Sequence, residues 1–376
     1  MSATQGMLAT CRGHISLLVL GQLLLLGVWS CRDELPRDTL LPGLTQPSVD
    51  QVNNTSTWAP RLVREYGSGS GSLAFGFPIA AATLEDGTLV VADLFECALF
   101  LIRRPAGLLQ TRIGGCGEGP SEFRQIRVIE VIDDSIFVYD QGANVIVVVD
   151  DTGVEARRMN LDPSGFTLSH LAILTDTTLV VAIESVGYAA VRLMDRRTGK
   201  LGRVLVEAPR IATRAPREVI RHLAACVAPA REPRIIVAMN EWVLEGVGID
   251  AGSGEERFHF VAPPLLQPKR NQNGNWVPGP TSADVRCSRS GALFRITTPG
   301  PAAEVGGNVT SWRAGAVILE GRTYSGERLF RSSIEDEDSL LRGPLADFRG
   351  DTAFVLAQTI RPFPVVGEFV FERHRR

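Results

Sequence analysis

Lysine is nearly absent from this chain. Of 39 basic side chains only Lys200 and Lys269 are lysines, and arginine supplies the rest. That scarcity argues against chemistry resting on a lysine nucleophile or Schiff base. Histidine is also scarce, at His14, His170, His222, His259 and His374. An excess of charge of either sign is lacking too: the net charge is −3 and the pI about 6.0. Holding a phosphate backbone needs a basic face, so no nucleic-acid partner is expected. After residue 28 no apolar run is long enough to cross a bilayer. What remains is an ordinary globular composition, 44% hydrophobic and 22% charged, sufficient for a large core.

The informative presence is a recurring turn. An apolar strand runs into a short loop containing glycine, and a second strand follows. The glycines are Gly107, Gly153, Gly199, Gly254 and Gly326, at spacings of 46, 46, 55 and 72 residues. A period near 46 that loosens toward the C-terminus indicates one β-sheet unit per repeat, as in a propeller. The units are most regular early. Phe77–Thr83, a turn at Glu85-Asp86-Gly87, Thr88–Ala92, Cys97–Arg103 and Gln110–Ile113 make one four-stranded blade. Four more units repeat it down to Arg328–Ser332. The last unit has only three strands: Leu345–Phe348, Thr352–Gln358 and Gly367–Arg373. An open blade leaves an unpaired edge. Trp58–Tyr66 is a strand with no neighbour in sequence, and placing it on that edge closes the ring. The expected fold is all-β, a six-bladed β-propeller over 58–376 closed by an N-terminal strand that completes the last blade.

Ahead of the ring stands an export signal. Arg12 precedes a mostly apolar run, Ile15–Val28, too short for a comfortable span and suited to a signal core. It ends in Val28-Trp29-Ser30-Cys31, which resembles the lipobox of bacterial lipoproteins. The resemblance implies a signal peptide over 1–30, lipidation at Cys31, and a periplasmic or outer-membrane address. Residues 31–57 are polar, carry three prolines and read as a flexible tether. Four cysteines remain beyond the anchor. Cys97 and Cys116 are equidistant from the turn at Ala106–Gly107, so hairpin register sets them opposite each other. A Cys97–Cys116 disulfide is expected, the alternative being two buried thiols. Cys226 and Cys287 can pair if the first strands of neighbouring blades approach.

The sequences Asp86-Gly87-Thr88-Leu89-Val90-Val91-Ala92-Asp93 and Ile113-Gly114-Gly115-Cys116-Gly117-Glu118-Gly119-Pro120-Ser121-Glu122-Phe123 resemble the NHL-type six-bladed propeller. The first matches its turn and strand; the second matches its glycine-rich crossing between blades. The likeness covers the first two blades and fades after residue 200. It implies the propeller fold and an exported lipoprotein. No Lys-Ser or Lys-Thr follows the glycines, so they are not a phosphate loop.

Candidate chemistry lies on the strands that line the channel. These carry Arg127, Glu130, His170, His222 and Arg286, the candidate ligand-binding set, with Asp284 and Asp347 beside them. Several inward arginines would form a positive funnel for an anion; alternatively they pair with the acids and plug the channel. Resemblance to the amidating lyases would imply zinc held by channel histidines, which needs about three ligands where two are suitably placed. Resemblance to the calcium-dependent lactonases would imply an oxygen-ligated cation, with Glu130 involved. Pro263–Pro280 is too long for a plain connection, and Trp276 within it suits a partner-binding loop. The expected function is an extracytoplasmic, membrane-tethered scaffold, monomeric, that binds a protein or small ligand without a cofactor. The competing expectation is a channel-metal hydrolase or lyase.

Overall fold

Short runs rich in Val, Ile, Leu and Phe, punctuated by glycine and aspartate turns, make strands rather than helices. The computed structural model describes residues 58–67, 73–132, 134–161, 165–185, 188–208, 223–228, 234–240, 245–261, 269–270, 276–277, 283–287, 291–305, 308–334, 345–349, 352–357 and 364–373. The expectations for the signal, the tether, Cys31 and His222 lie outside them.

The lone strand β1 (Trp58–Tyr66) comes first. Blade one is β2 (Pro78–Thr83), β3 (Leu89–Asp93), β4 (Ala98–Arg103) and β5 (Leu108–Gly114). Blade two is β6 (Ile126–Ile132), β7 (Ser135–Asp140), β8 (Val145–Val149) and β9 (Glu155–Asn160). Blade three is β10 (Thr167–Thr175), β11 (Thr178–Ser185), β12 (Tyr188–Asp195) and β13 (Leu201–Glu207). Blade four is β14 (Leu223–Val227), β15 (Ile235–Asn240), β16 (Glu245–Asp250) and β17 (Glu256–Val261). A two-stranded hairpin follows, β18 (Lys269–Arg270) and β19 (Trp276–Val277). Blade five is β20 (Ala283–Cys287), β21 (Ala292–Val305), β22 (Asn308–Arg322) and β23 (Arg328–Ile334). Blade six adds β24 (Leu345–Arg349), β25 (Thr352–Ala357) and β26 (Val365–Arg373). Every blade is an antiparallel sheet of four neighbours in chain order, except the last, whose order is β1-β26-β25-β24. The six blades stand in a ring, and among the described residues no helix is long and apolar enough to cross a membrane.

Among the described residues the core is not one mass but six clusters, one in each seam between neighbouring blades. That arrangement explains the composition of the middle strands. Both faces of a blade meet another blade, so β3 and β8 are buried along their whole length. Cys97–Arg103 does not alternate for the same reason: Ala98–Ile102 are all buried. The outermost β5, by contrast, alternates between exposed and half-buried residues over most of its length.

Closure follows the expected course. β1 pairs with β26 from Trp58↔Arg373 to Tyr66↔Val366. Tyr66 at its end enters the seam with blade one and donates to Glu368 Oε2 at 2.5 Å. Glu368 also takes Arg104, from the β4–β5 turn of blade one, whose guanidinium lies 4.9 Å over the Phe354 ring. Burial, then the Glu368 carboxylate, pushes the Tyr66 hydroxyl well above its usual pKa. Tyr66→Phe is therefore expected to cost about 1.5–3 kcal/mol, the scale of a hydrogen bond to a charged group. Urea unfolding of the variant beside the parent measures it, and an unchanged midpoint would remove this contact from the closure.

Candidate functional site

The inner strands β2, β6, β10, β14, β20 and β24 wall a cavity of about 400 Å³ on the ring axis. Four of them break register near their start. Ile79, Arg127, Ser169 and Ala346 are the extra residues, between Pro78/Ala80, Ile126/Val128, Leu168/His170 and Leu345/Asp347. A bulge leaves its extra residue out of the ladder and re-aims that side chain. All four line the cavity, so one register position supplies a tier around the axis. β14 and β20 pair without such a break.

Polar groups from neighbouring blades tie this tier together. Arg286 Nε donates to the carbonyl of the bulged Ala346 at 2.8 Å, and its Nη1 donates to Val285 O at 2.9 Å. Ser169 Oγ donates to Leu223 O at 2.8 Å, while Leu223 N donates to Glu184 at 3.2 Å. Thr83 Oγ1 donates to Asp347 Oδ2 at 2.8 Å, linking blade one to blade six. Asp284 accepts from Arg295 Nε at 2.8 Å and from Leu345 N at 3.2 Å. Arg295 is only 1% exposed, so its end of the pair is buried behind the cavity-lining Asp284. Burial raises the Asp284 pKa, but Arg295 and Arg286 outweigh it and hold the carboxyl below the ordinary aspartate value.

His170 is a further titratable group of the tier. Arg286 Nη1 stands 3.4 Å from its Nδ1. A guanidinium has no acceptor, so Nδ1 accepts and the ring proton sits on Nε2. Burial, then the charge of Arg286 with a smaller push from Arg127, lowers its pKa from 6.5 to about 3 against the pull of Asp284 and Glu184. The imidazole is neutral at pH 7 and a weak base there. Arg127 differs from its neighbours. It is exposed, lines the cavity, and has no hydrogen bond or ion pair among the described residues.

The mouth beside blade one is aromatic. Phe77 lines the cavity and stacks on Phe95 with ring centroids 5.2 Å apart. Phe95 is 67% exposed, yet its position is set. Its N–H donates to Asp93 Oδ1 at 3.0 Å, and the adjoining Cys97 is joined to Cys116. Asp93 also takes the N–H groups of Gly76 and Phe77, at 2.7 and 2.9 Å, fixing the approach to β2. Asp140 does the same for Arg124 and Gln125 ahead of β6, at 2.8 Å each. This is the physical reason the turn–strand motif ends in aspartate: an ionised carboxylate satisfies backbone donors that the crossing leaves unpaired.

The fold has counterparts among solved structures. A member of the DUF4221 family from Bacteroides vulgatus superposes with a TM-score of 0.60 at 10% identity, covering 85% of this chain and all of that one. A protein of Bacteroides fragilis described as exported superposes at 0.50 and 11% identity, covering 87% and 98%. The likeness is one of fold. No family model matches the chain, and none of the curated proteins does.

Of the residues expected at the channel, Arg127, Glu130, His170 and Arg286 all line the cavity. Asp284 and Asp347 do so as well, but their pairing departs from the expectation that channel arginines cancel channel acids. Asp284 is held by Arg295 on β21, and Arg286 spends its donors on carbonyls and His170. Arg124 precedes β6 and pairs with Glu118. His259 lies on the outermost β17, 3.7 Å from Glu256. Among the described residues no three His, Cys, Asp or Glu side chains are grouped to hold a metal ion. Trp276 sits on the β18–β19 hairpin, in the crossing from blade four to blade five. Cys226 and Cys287 are joined, and both line the cavity. Sequence reasoning missed Arg295, Thr83 and Phe95. Arg295 carried a signal: an arginine inside an apolar run, Ala292–Ile296, demands a buried partner.

Proposed function

We propose that this protein is an exported, lipid-tethered propeller of the NHL type that serves as a binding scaffold. It takes a protein or small ligand at the end of the ring where the inner strands begin. Connectivity gathers three excursions there: the Phe95 turn, the β18–β19 crossing and the β21–β22 hairpin, which runs on past Ile296, the partner of Ala283 at the start of β20. The observation that carries the reading is how the channel groups are used. Asp284, Asp347, Ser169 and Arg286 are committed to holding strands together, and His170 is too weak a base for proton transfer near neutrality. Such a wall recognises shape and charge and does not turn over a substrate. Two disulfides support an oxidising compartment, in keeping with the apolar run at 15–28 and Cys31.

The test is cross-linking in intact cells with the full-length protein. The parent is expected to give a discrete cross-linked species that disappears when residues 268–277 are deleted, with the melting temperature unchanged. A species that survives the deletion would move the contact elsewhere. Stoichiometric zinc or calcium in the purified protein would instead favour the hydrolase or lyase reading.

A further inference from the structure

The geometry points to the Cys97–Cys116 bridge as a thiol-exchange site. An external thiolate opens it at Cys116, and Cys97 stays in place as the sulfur that closes it again. The inference goes beyond the binding reading above and needs nothing of residues 268–277.

The two ends of the bridge differ. Cys116 is exposed on the crossing from blade one to blade two, its Sγ 3.8 Å from the carbonyl oxygen of the exposed Phe95. Cys97 is 5% exposed and belongs to the apolar cluster in the seam between those blades. Its Sγ lies 3.7 Å from Leu94 O and 3.9 Å from Arg124 O. Exchange depends on which sulfur an attacking thiolate can reach. A thiolate bound for Cys97 would have to enter the seam, whereas Cys116 is met from solvent. Cys116 therefore takes the new bond.

The backbone at Cys97 points the same way. Its φ is 45°, in the left-handed region, four residues after Asp93. Blade two makes the corresponding turn with Asn144, at φ 54°, four residues after Asp140. Asp93 accepts from the Phe95 and Glu96 N–H groups and Asp140 from the Ala143 N–H, so both turns are built on the aspartate. Asparagine tolerates the left-handed conformation; cysteine does so poorly. A cysteine kept where its backbone is disfavoured argues for a task carried by its sulfur.

The segments on either side hold without the bridge. In the crossing, Phe123 N donates to Gly115 O at 3.0 Å and Gly117 N to Phe123 O at 3.1 Å. Gly119 N donates to Glu122 Oε2 at 2.8 Å. These bonds keep Cys116 beside Cys97 after the bridge opens, which makes the step reversible. The thiolate forms a bond to Cys116 Sγ, the sulfur–sulfur bond breaks, and its electron pair goes to Cys97 Sγ. That sulfur takes a proton from water, and the new thiol can donate to Leu94 O. The products are a mixed disulfide on Cys116 and a thiol at Cys97. Attack by Cys97 on the mixed disulfide expels the incoming thiol and restores the bridge. The Cys226–Cys287 bridge offers no such end: Cys226 is 7% exposed, Cys287 is partly buried, and both face the cavity.

Glutathione is the probe, with the folded full-length protein. An excess of reduced glutathione followed by an N-ethylmaleimide quench is expected to leave glutathione on Cys116 and maleimide on Cys97. Peptide mass mapping reads both sites and should find Cys226–Cys287 still joined. Cys97→Ser and Cys116→Ser separate the two sulfurs. With oxidised glutathione, Cys116 in the first variant should take up glutathione. Cys97 in the second should do so about tenfold more slowly, a thiol among apolar groups being inert beside an exposed one. Both variants lose the same bridge, so a general loosening of the fold would make them react alike. A parent that stays fully bridged, glutathione on Cys97, equal uptake by the two variants, or earlier opening of Cys226–Cys287 overturns the inference. None of these results touches the partner cross-link of the previous subsection, so the two readings fail separately.

Discussion

Asp284→Ala is expected to destabilise the ring by about 3–5 kcal/mol, the penalty for leaving a buried charge without its counter-ion. Arg295 is 1% exposed, and Asp284 is its partner through Nε at 2.8 Å. Removing the carboxylate leaves the guanidinium with little water to replace it, and the Leu345 N–H loses an acceptor as well. The damage falls where blade five meets blade six. Urea denaturation followed by tryptophan fluorescence reads the loss. Asp284→Ala with Arg295→Met should recover much of it, because the double change removes both charges. A single variant as stable as the parent would show that the pair carries no weight. The acid side of the stability profile makes the same point. The folded-state pKa of Asp284 lies below the unfolded value of 3.8, so its contribution is whole well above that pH and is lost as pH falls through 3.8 toward the folded value. Asp284→Asn should flatten that part of the curve.

Replacing both Cys226 and Cys287 with serine is expected to cost about 4 kcal/mol, from the entropy returned to an unfolded chain no longer closed into a large loop. The two are 61 residues apart and join the inner strands of blades four and five. The Cys97–Cys116 bridge closes only 19 residues, and losing it should cost about 3 kcal/mol by the same argument. Equilibrium unfolding of the two double-serine variants tests both size and order. Equal midpoints for the 226/287 variant and the parent would contradict the loop-closure account. The bridge also has a local role. β14 and β20 are the two inner strands without a bulge, and the disulfide joins them directly across their seam.

Much of the fold was legible in the residues. Turn glycines such as Gly153 and Gly199 mark where φ is positive, at 89° and 71°, so the sheet rhythm follows from local chemistry. The edge left open by the last three strands required a fourth, and β1 supplies it by pairing with β26. Hairpin geometry brought Cys97 near Cys116 because both lie just past the last ladder pair of one short-range unit, Ala98↔Gly114, one residue off the register expected. The β21–β22 hairpin was less legible. Its strands, Ala292–Val305 and Asn308–Arg322, are longer than the others and run through a stretch with two prolines that reads locally as a loop. Pairing between the two chains, displaced at Thr297/Pro299 and Pro299/Ala302, overrides that local preference.

The order of the strands, the number of blades and the way the ring closes were set by the sequence alone. Each depends on neighbours in the chain, or on a single edge that has to be satisfied. Only the tertiary structure decided which charges are spent and which are left over. Arg295 takes Asp284, Glu368 takes Tyr66 and Arg104, and Arg127 lines the cavity with no hydrogen bond or ion pair among the described residues. Those assignments depend on bulges that re-aim single side chains and on contacts between blades far apart in the chain, where spacing along the sequence carries no information about distance.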